Sequence, residues 1–166
     1  DRTTDNYSSA EDLGNLLEGI YKSKFPGSEE MLEILSLSSA SGHLDRIVDR
    51  TCIPVQEVSL EQKGGYVSGR ADKTGVIYGA NVNAGIIFAK FHNEETGEDI
   101  EVPYVVSVMV QDEDSKEDNF RGGYRPWGVA KTETIRSISE FFFWELHKEY
   151  SGKPFQCSLH NGVHPQ

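Results

Sequence analysis

Sulfur is scarce in this chain: among 166 residues there are two cysteines, Cys52 and Cys157, and two methionines. Two cysteines are too few for a disulfide framework. In a chain long enough to build its own core they read as free thiols, which favours a reducing, cytoplasmic setting. One long-range disulfide stays open on sequence grounds. The first residue is Asp1 rather than Met, which reads as a processed or trimmed form and leaves a secreted origin open as well. No stretch of 18 or more consecutive apolar residues exists, so no membrane-spanning helix is expected and no membrane partner. A glycine-rich phosphate loop ending in Lys-Ser/Thr is missing, as is a dinucleotide fingerprint. The glycines at 64, 65, 69, 75, 79 and 85 read instead as bulges and tight turns in a twisted sheet. No cofactor is expected.

Basic residues are also under-represented, 16 against 27 acids, giving a net charge of -11. The imbalance is local. Residues 91–120 carry ten acids against Lys116 alone, a net -9, whereas residues 121–166 carry six bases against four acids, a net +2. An acidic surface argues against binding to phosphate backbones, so nucleic acid is disfavoured as a partner.

What is present is a globular composition, 37% apolar and 26% charged, in one domain's length of chain. Residues 1–166 are read as a single domain, with 1–7 and 158–166 flexible. Ser8 or Ser9 can cap a helix with Leu13, Leu16, Leu17, Ile20 and Tyr21 at helical spacing, stopped by Phe25-Pro26-Gly27. Ser28 caps a second helix, with an apolar stripe of Met31, Leu32, Ile34 and Leu35 and a break expected at 36–42; one or two turns resume at His43–Val48. The period then changes to two. Short strands are expected at Val58–Glu61, where alternation suggests a strand ending at Gly64-Gly65, and at Tyr66–Arg70 and Thr74–Tyr78, with turns at Ala71-Asp72-Lys73 and Asn81-Val82-Asn83, and another strand at Gly85–Phe91. After a turn at Glu94–Asp99, Ile100, Val102, Tyr104, Val106, Val108 and Val110 occupy every second position, the pattern of a strand with one apolar face. Thr132 or Thr134 can cap a last helix running to Tyr150. Its inner stripe would be Ile135, Ile138, Phe142 and Leu146, widened by Phe141, Phe143 and Trp144. The fold class is therefore α+β: two layers, an antiparallel sheet of four or five strands covered by a long C-terminal helix, with two N-terminal helices.

Several constellations can be weighed for chemistry. Asp112, Asp114 and Lys116 fall at positions 1, 3 and 5 of a calcium loop, but the lysine, and Glu117 where the turn glycine belongs, break the pattern. Cys157, His160 and His164 have a Cys-x2-His-x3-His spacing without the second close pair a zinc site needs. No metal is therefore expected. Cys157 or Cys52 with His43, His92, His147 or His160 could supply a thiol hydrolase or transferase, a reading that rests on composition. His92-Asn93-Glu94 and His147-Lys148-Glu149 each place a base near a carboxylate without forming a ready dyad, since adjacent residues on a strand point to opposite faces and neighbours on a helix do not stack.

The most distinctive segment is Phe120-Arg121-Gly122-Gly123-Tyr124-Arg125-Pro126-Trp127-Gly128, which follows the acidic run 112–118. Tyr, Trp and Arg dominate binding hot spots, so Arg121, Tyr124, Arg125 and Trp127 are the candidate binding residues. The plainer alternative packs Tyr124 and Trp127 on the sheet and lets the arginines neutralise the acids before them. With no catalytic motif, the favoured reading is an acidic protein-binding module of inhibitor, immunity or antagonist type, whose partner is another protein. A cysteine-dependent enzyme and a binder of single-stranded nucleic acid stand behind it. Oligomeric state is not legible in the sequence.

Overall fold

The computed structural model describes residues 8–40, 53, 64–77, 80–111 and 126–154. The expected strand at 58–61 and the helical turns at 43–48 lie outside them, as do both cysteines, His43, the 112–118 run and the 157–164 histidine segment. Among the described residues there are three helices and one three-stranded antiparallel sheet, a mixed α+β arrangement.

Helix α1 (Ala10–Tyr21) starts where Ser9 closes a capping box: its hydroxyl accepts from the Asp12 N–H at 3.1 Å and its own N–H donates to the Asp12 carboxylate at 2.9 Å. The Ser9 hydroxyl, donating to the Asp12 carboxylate at 2.8 Å, and then the Ser9 N–H hold that carboxyl below its ordinary range. Past α1 the chain turns through Ser23 at φ 54 and Gly27 at φ 74. There the Ser28 hydroxyl donates to the Phe25 carbonyl at 2.8 Å and accepts from the Phe25 N–H at 3.2 Å. Helix α2 (Ser28–Ala40) continues through residues 36–40 of the 36–42 stretch where a break was expected, and residues 41 and 42 lie outside the described residues. The Ser36 hydroxyl bonds back to the Leu32 carbonyl at 2.8 Å, so the serine is satisfied inside the helix.

Strands β1 (Gly65–Ile77), β2 (Ala80–Asn93) and β3 (Glu98–Gln111) pair in sequence order. Two expected turns are overturned. Ala71-Asp72-Lys73 pairs with Ile86, Gly85 and Ala84 inside a continuous β1, so two short strands become one. Asn81-Val82-Asn83 pairs with both neighbours inside β2. That merger removes one of the five expected strands, and the one at 58–61 lies outside the described residues, which contain three. An irregularity between Val67 and Gly69 is the one bulge in these ladders. The β2–β3 turn is where it was expected: Gly97 adopts φ 72, and the Asn93 side-chain oxygen accepts from the N–H groups of Glu95 and Thr96 at 3.0 and 3.1 Å.

Both faces of the sheet carry an apolar cluster, so the layering is helix–sheet–helix and not the two layers expected. Alternate residues of a strand face opposite sides. Ile86 and Ala84 of β2 cluster with Leu17 of α1, joined by Leu13, Leu32, Leu35, Phe88 and Val105. Ile87, Ala89 and Phe91 cluster on the other side with Val67, Val106, Val108 and Ile53, and with Ile135 and Phe143 of the last helix. That helix, α3 (Pro126–Ser151), begins ahead of the caps expected at Thr132 or Thr134. Proline needs no N–H partner in the first turn and its φ is already helical, so Pro126 suits a helix start. Gly152, at φ 77, ends it.

Candidate functional site

The rotation of α3 about its axis decides what this protein shows to solvent. Ile135, Ser139, Phe143, His147 and Ser151 recur every fourth residue and are all buried, together with Arg136 and Glu140. Phe141 and Phe142, assigned to the inner face by the sequence pattern, are instead 55% and 47% exposed. Ile138 and Leu146 lie between, half-buried. The helix has therefore turned a mostly polar row inward and left two phenylalanines outside.

The C-terminal end of α3 accounts for this rotation. Phe143 packs on Phe91 at 5.3 Å between ring centroids, Tyr150 stacks on the same ring at 5.9 Å, and His147 meets it edge-on at 5.9 Å. His147 is fully buried. Its Nδ1 lies 3.0 Å from the Lys153 carbonyl, an oxygen that can only accept, so Nδ1 carries the proton and donates. The same nitrogen lies 3.0 Å from the Ser151 hydroxyl, which donates to the His147 carbonyl at 2.6 Å. The opposite ring nitrogen lies against Gly64, where an added Cβ would come within 2.9 Å of it. Lys153 also pairs with Glu94 in the β2–β3 turn, which holds the Glu94 carboxyl below its ordinary range. A rotation of about 100°, one residue's worth, would put Phe142 on the sheet only by breaking all of these contacts.

The sheet face toward α3 is partly polar as well. Across the ladder, Arg70, Asp72 and Thr74 of β1 lie level with Ile87, Gly85 and Asn83 of β2. The Asn83 amide donates to the Asp72 carboxylate and to the Lys73 carbonyl, each at 3.3 Å, and Arg70 Nε lies 3.8 Å from Asp72. Asp72 occupies the space a side chain at 85 would need: a Cβ there would fall 2.4 Å from the Asp72 Cβ. Only glycine fits. Opposite Ile87 on β3, Tyr104 faces the helix with a buried, unpartnered hydroxyl, and burial pushes its pKa up. Ser139 Oγ and Asn81 Oδ1 are likewise buried without a hydrogen-bond partner. Among the described residues no group of three His, Cys, Asp or Glu side chains is placed to hold a metal ion.

On the outside of α3, Phe141 and Phe142 meet in a T-shaped pair, ring centroids 5.8 Å apart. With Ile138, Glu133, Thr134 and Ser137 they line an open groove of about 550 Å³. Two half-exposed phenylalanines forgo burial on the order of 1 kcal/mol each, which a partner would recover on covering them.

Compared with known protein families, curated proteins and solved structures, the chain has no significant match.

Of the residues singled out from sequence, Arg121, Tyr124 and Arg125 lie outside the described residues. Trp127 belongs to the backbone of the first turn of α3, so the expected loop is in part helix. His92, considered with Glu94, pairs instead with Asp99 across the hairpin, Nδ1 to carboxylate at 2.7 Å. His147 is held in the core, where its described neighbours are rings, a serine and a backbone carbonyl. The exposed pair Phe141–Phe142 was missed. Its signal was the four-residue spacing of Ser139, Phe143, His147 and Ser151, in which two small serines let a helix approach a sheet closely.

Proposed function

We propose that this chain is an acidic protein-binding module of the inhibitor, immunity or antagonist type, acting by surface complementarity through the outer face of α3. The observation that carries the reading is the inverted helix: polar side chains are spent inside while Phe141 and Phe142 stand in solvent beside a groove. Large aromatics exposed side by side are the composition of interface centres. Arg121, Tyr124, Arg125 and Trp127, which precede this face in the chain, have the residue types of binding hot spots and are proposed to take part in the same interaction. The partner is another protein. No helix among the described residues is long and apolar enough to cross a membrane.

The test is affinity capture with the unaltered chain, a Phe141→Ser/Phe142→Ser variant and an Arg125→Ala/Trp127→Ala variant, each checked for native circular dichroism. A partner held by the unaltered chain and lost by the first variant supports the reading. Equal recovery of every bound protein by all three removes it.

A further inference from the structure

The other side of the sheet carries a second surface, of different chemistry, on observations independent of α3. Of the eight large hydrophobic residues that stand exposed among the described residues, six belong to the α1/α2 layer: Leu16, Tyr21, Phe25, Met31, Ile34 and Leu37. On α2 they form one stripe at a spacing of three, with Ile34 65% and Leu37 63% exposed. Leu32 and Leu35 meanwhile pack inward on the sheet. A helix apolar on both sides is normally covered on both sides. Here the inner side is covered and the outer one is open.

Charge states what would cover it. Glu29, Glu30 and Glu33 are exposed on α2, and the helix contains no base. Glu30 lies one turn before Ile34, and Glu33 one turn before Leu37, so carboxylates border the stripe along its length. Across the layer six acids (Glu11, Asp12, Glu18, Glu29, Glu30, Glu33) face two bases, and one of those, Lys22, already pairs with Glu18. A second copy would set the same acids against themselves on a chain of net charge -11. An anionic membrane surface would be repelled in the same way, since lipid-binding helices carry bases and not acids along their apolar face. We infer that the outer face of α2 is a docking surface for a basic amphipathic helix of a partner protein. Its apolar residues would pack on the Met31, Ile34 and Leu37 ridge, and its lysines or arginines would meet Glu30 and Glu33.

The probe is a fluorescein-labelled leucine/lysine peptide of about 18 residues with helical amphipathic spacing. It is compared with a peptide of the same composition in non-amphipathic order and with a leucine/glutamate counterpart, by anisotropy against the full chain. The amphipathic lysine peptide should bind. Ile34→Ser/Leu37→Ser should weaken it by about tenfold or more, and Glu30→Gln/Glu33→Gln several-fold with a flatter salt dependence. Phe141→Ser, on the opposite layer, should leave it unchanged, so this surface stands or falls apart from the one on α3. Equal binding of the non-amphipathic peptide, or of the Ile34→Ser/Leu37→Ser variant, would reduce the effect to bulk charge and overturn the proposal. So would a concentration-dependent dimer, in sedimentation, that the same double substitution abolishes, because the occupant would then be a second copy.

Discussion

Phe142 and Phe143 are neighbours on one helix and have opposite fates: the first is 47% exposed and the second fully buried. Composition cannot tell them apart. What separates them is the far end of α3, where Phe91, Tyr150, His147, Ser151 and the Lys153 carbonyl leave the helix one rotation about its axis. A helix buries the face its strongest contacts choose, and the rest of its apolar surface goes wherever that leaves it. In α3 this leaves an aromatic pair outside. In α2, which has leucines enough for its inner face, the surplus Met31, Ile34 and Leu37 are left out without any such inversion. The two exposed faces thus differ in origin.

The contrast can be broken most forcefully at Phe143. Phe143→Ala should cost about 3–5 kcal/mol in urea denaturation, while Phe142→Ala should stay within about 0.5–1 kcal/mol. Similar losses at both positions would mean that the helix is rotated from the orientation described. Next in size is Gly64→Ala. A left-handed residue would acquire a side chain 2.9 Å from the His147 ring, and a loss of about 1–3 kcal/mol is expected. The same substitution at Gly97, also left-handed but with nothing near its Cβ position, should cost only the conformational part, about 1 kcal/mol. Comparing the two melting curves isolates the contact with His147.

Ser139→Ala goes the other way. It removes a buried hydroxyl without a partner and adds a better helix former, so a gain of about 0.5–1 kcal/mol is expected. A loss would reveal a hydrogen bond at that hydroxyl. The smallest effect concerns Glu94, whose carboxyl is held below its ordinary 4.5 by Lys153. Its folded pKa is depressed, so its contribution is present above the unfolded value and disappears as pH falls through the folded one. The gap in melting temperature between the unaltered chain and Glu94→Gln should accordingly be steady near neutrality and close in acid. A gap that widens on acidification would reverse the sign of the pairing.

Much of the local structure was legible because its causes lie within a few residues. The Ser9–Asp12 box, the turn ending in Gly97 and the alternation along β3 are set by neighbours in sequence, and each appears where the residue types put it. The misreadings share a different cause. Ala71-Asp72-Lys73 and Asn81-Val82-Asn83 carry turn residues, but Asp72 and Asn83 satisfy each other across two strands, beside a glycine whose missing side chain makes room. Nothing within either tripeptide announces that partner. The candidate surface behaved likewise: the aromatic content of residues 141–144 is plain in the sequence, yet which rings face water depends on Phe91, some fifty residues earlier.

By itself, then, the sequence determined the chain's acidity, its α+β element types, the start of its first helix and the turn of its second hairpin, because charge, caps and periodicity are properties of short stretches. Only the tertiary structure decided which faces of α2 and α3 remain in water. A helix has a single rotation to spend, and contacts made far along the chain spend it.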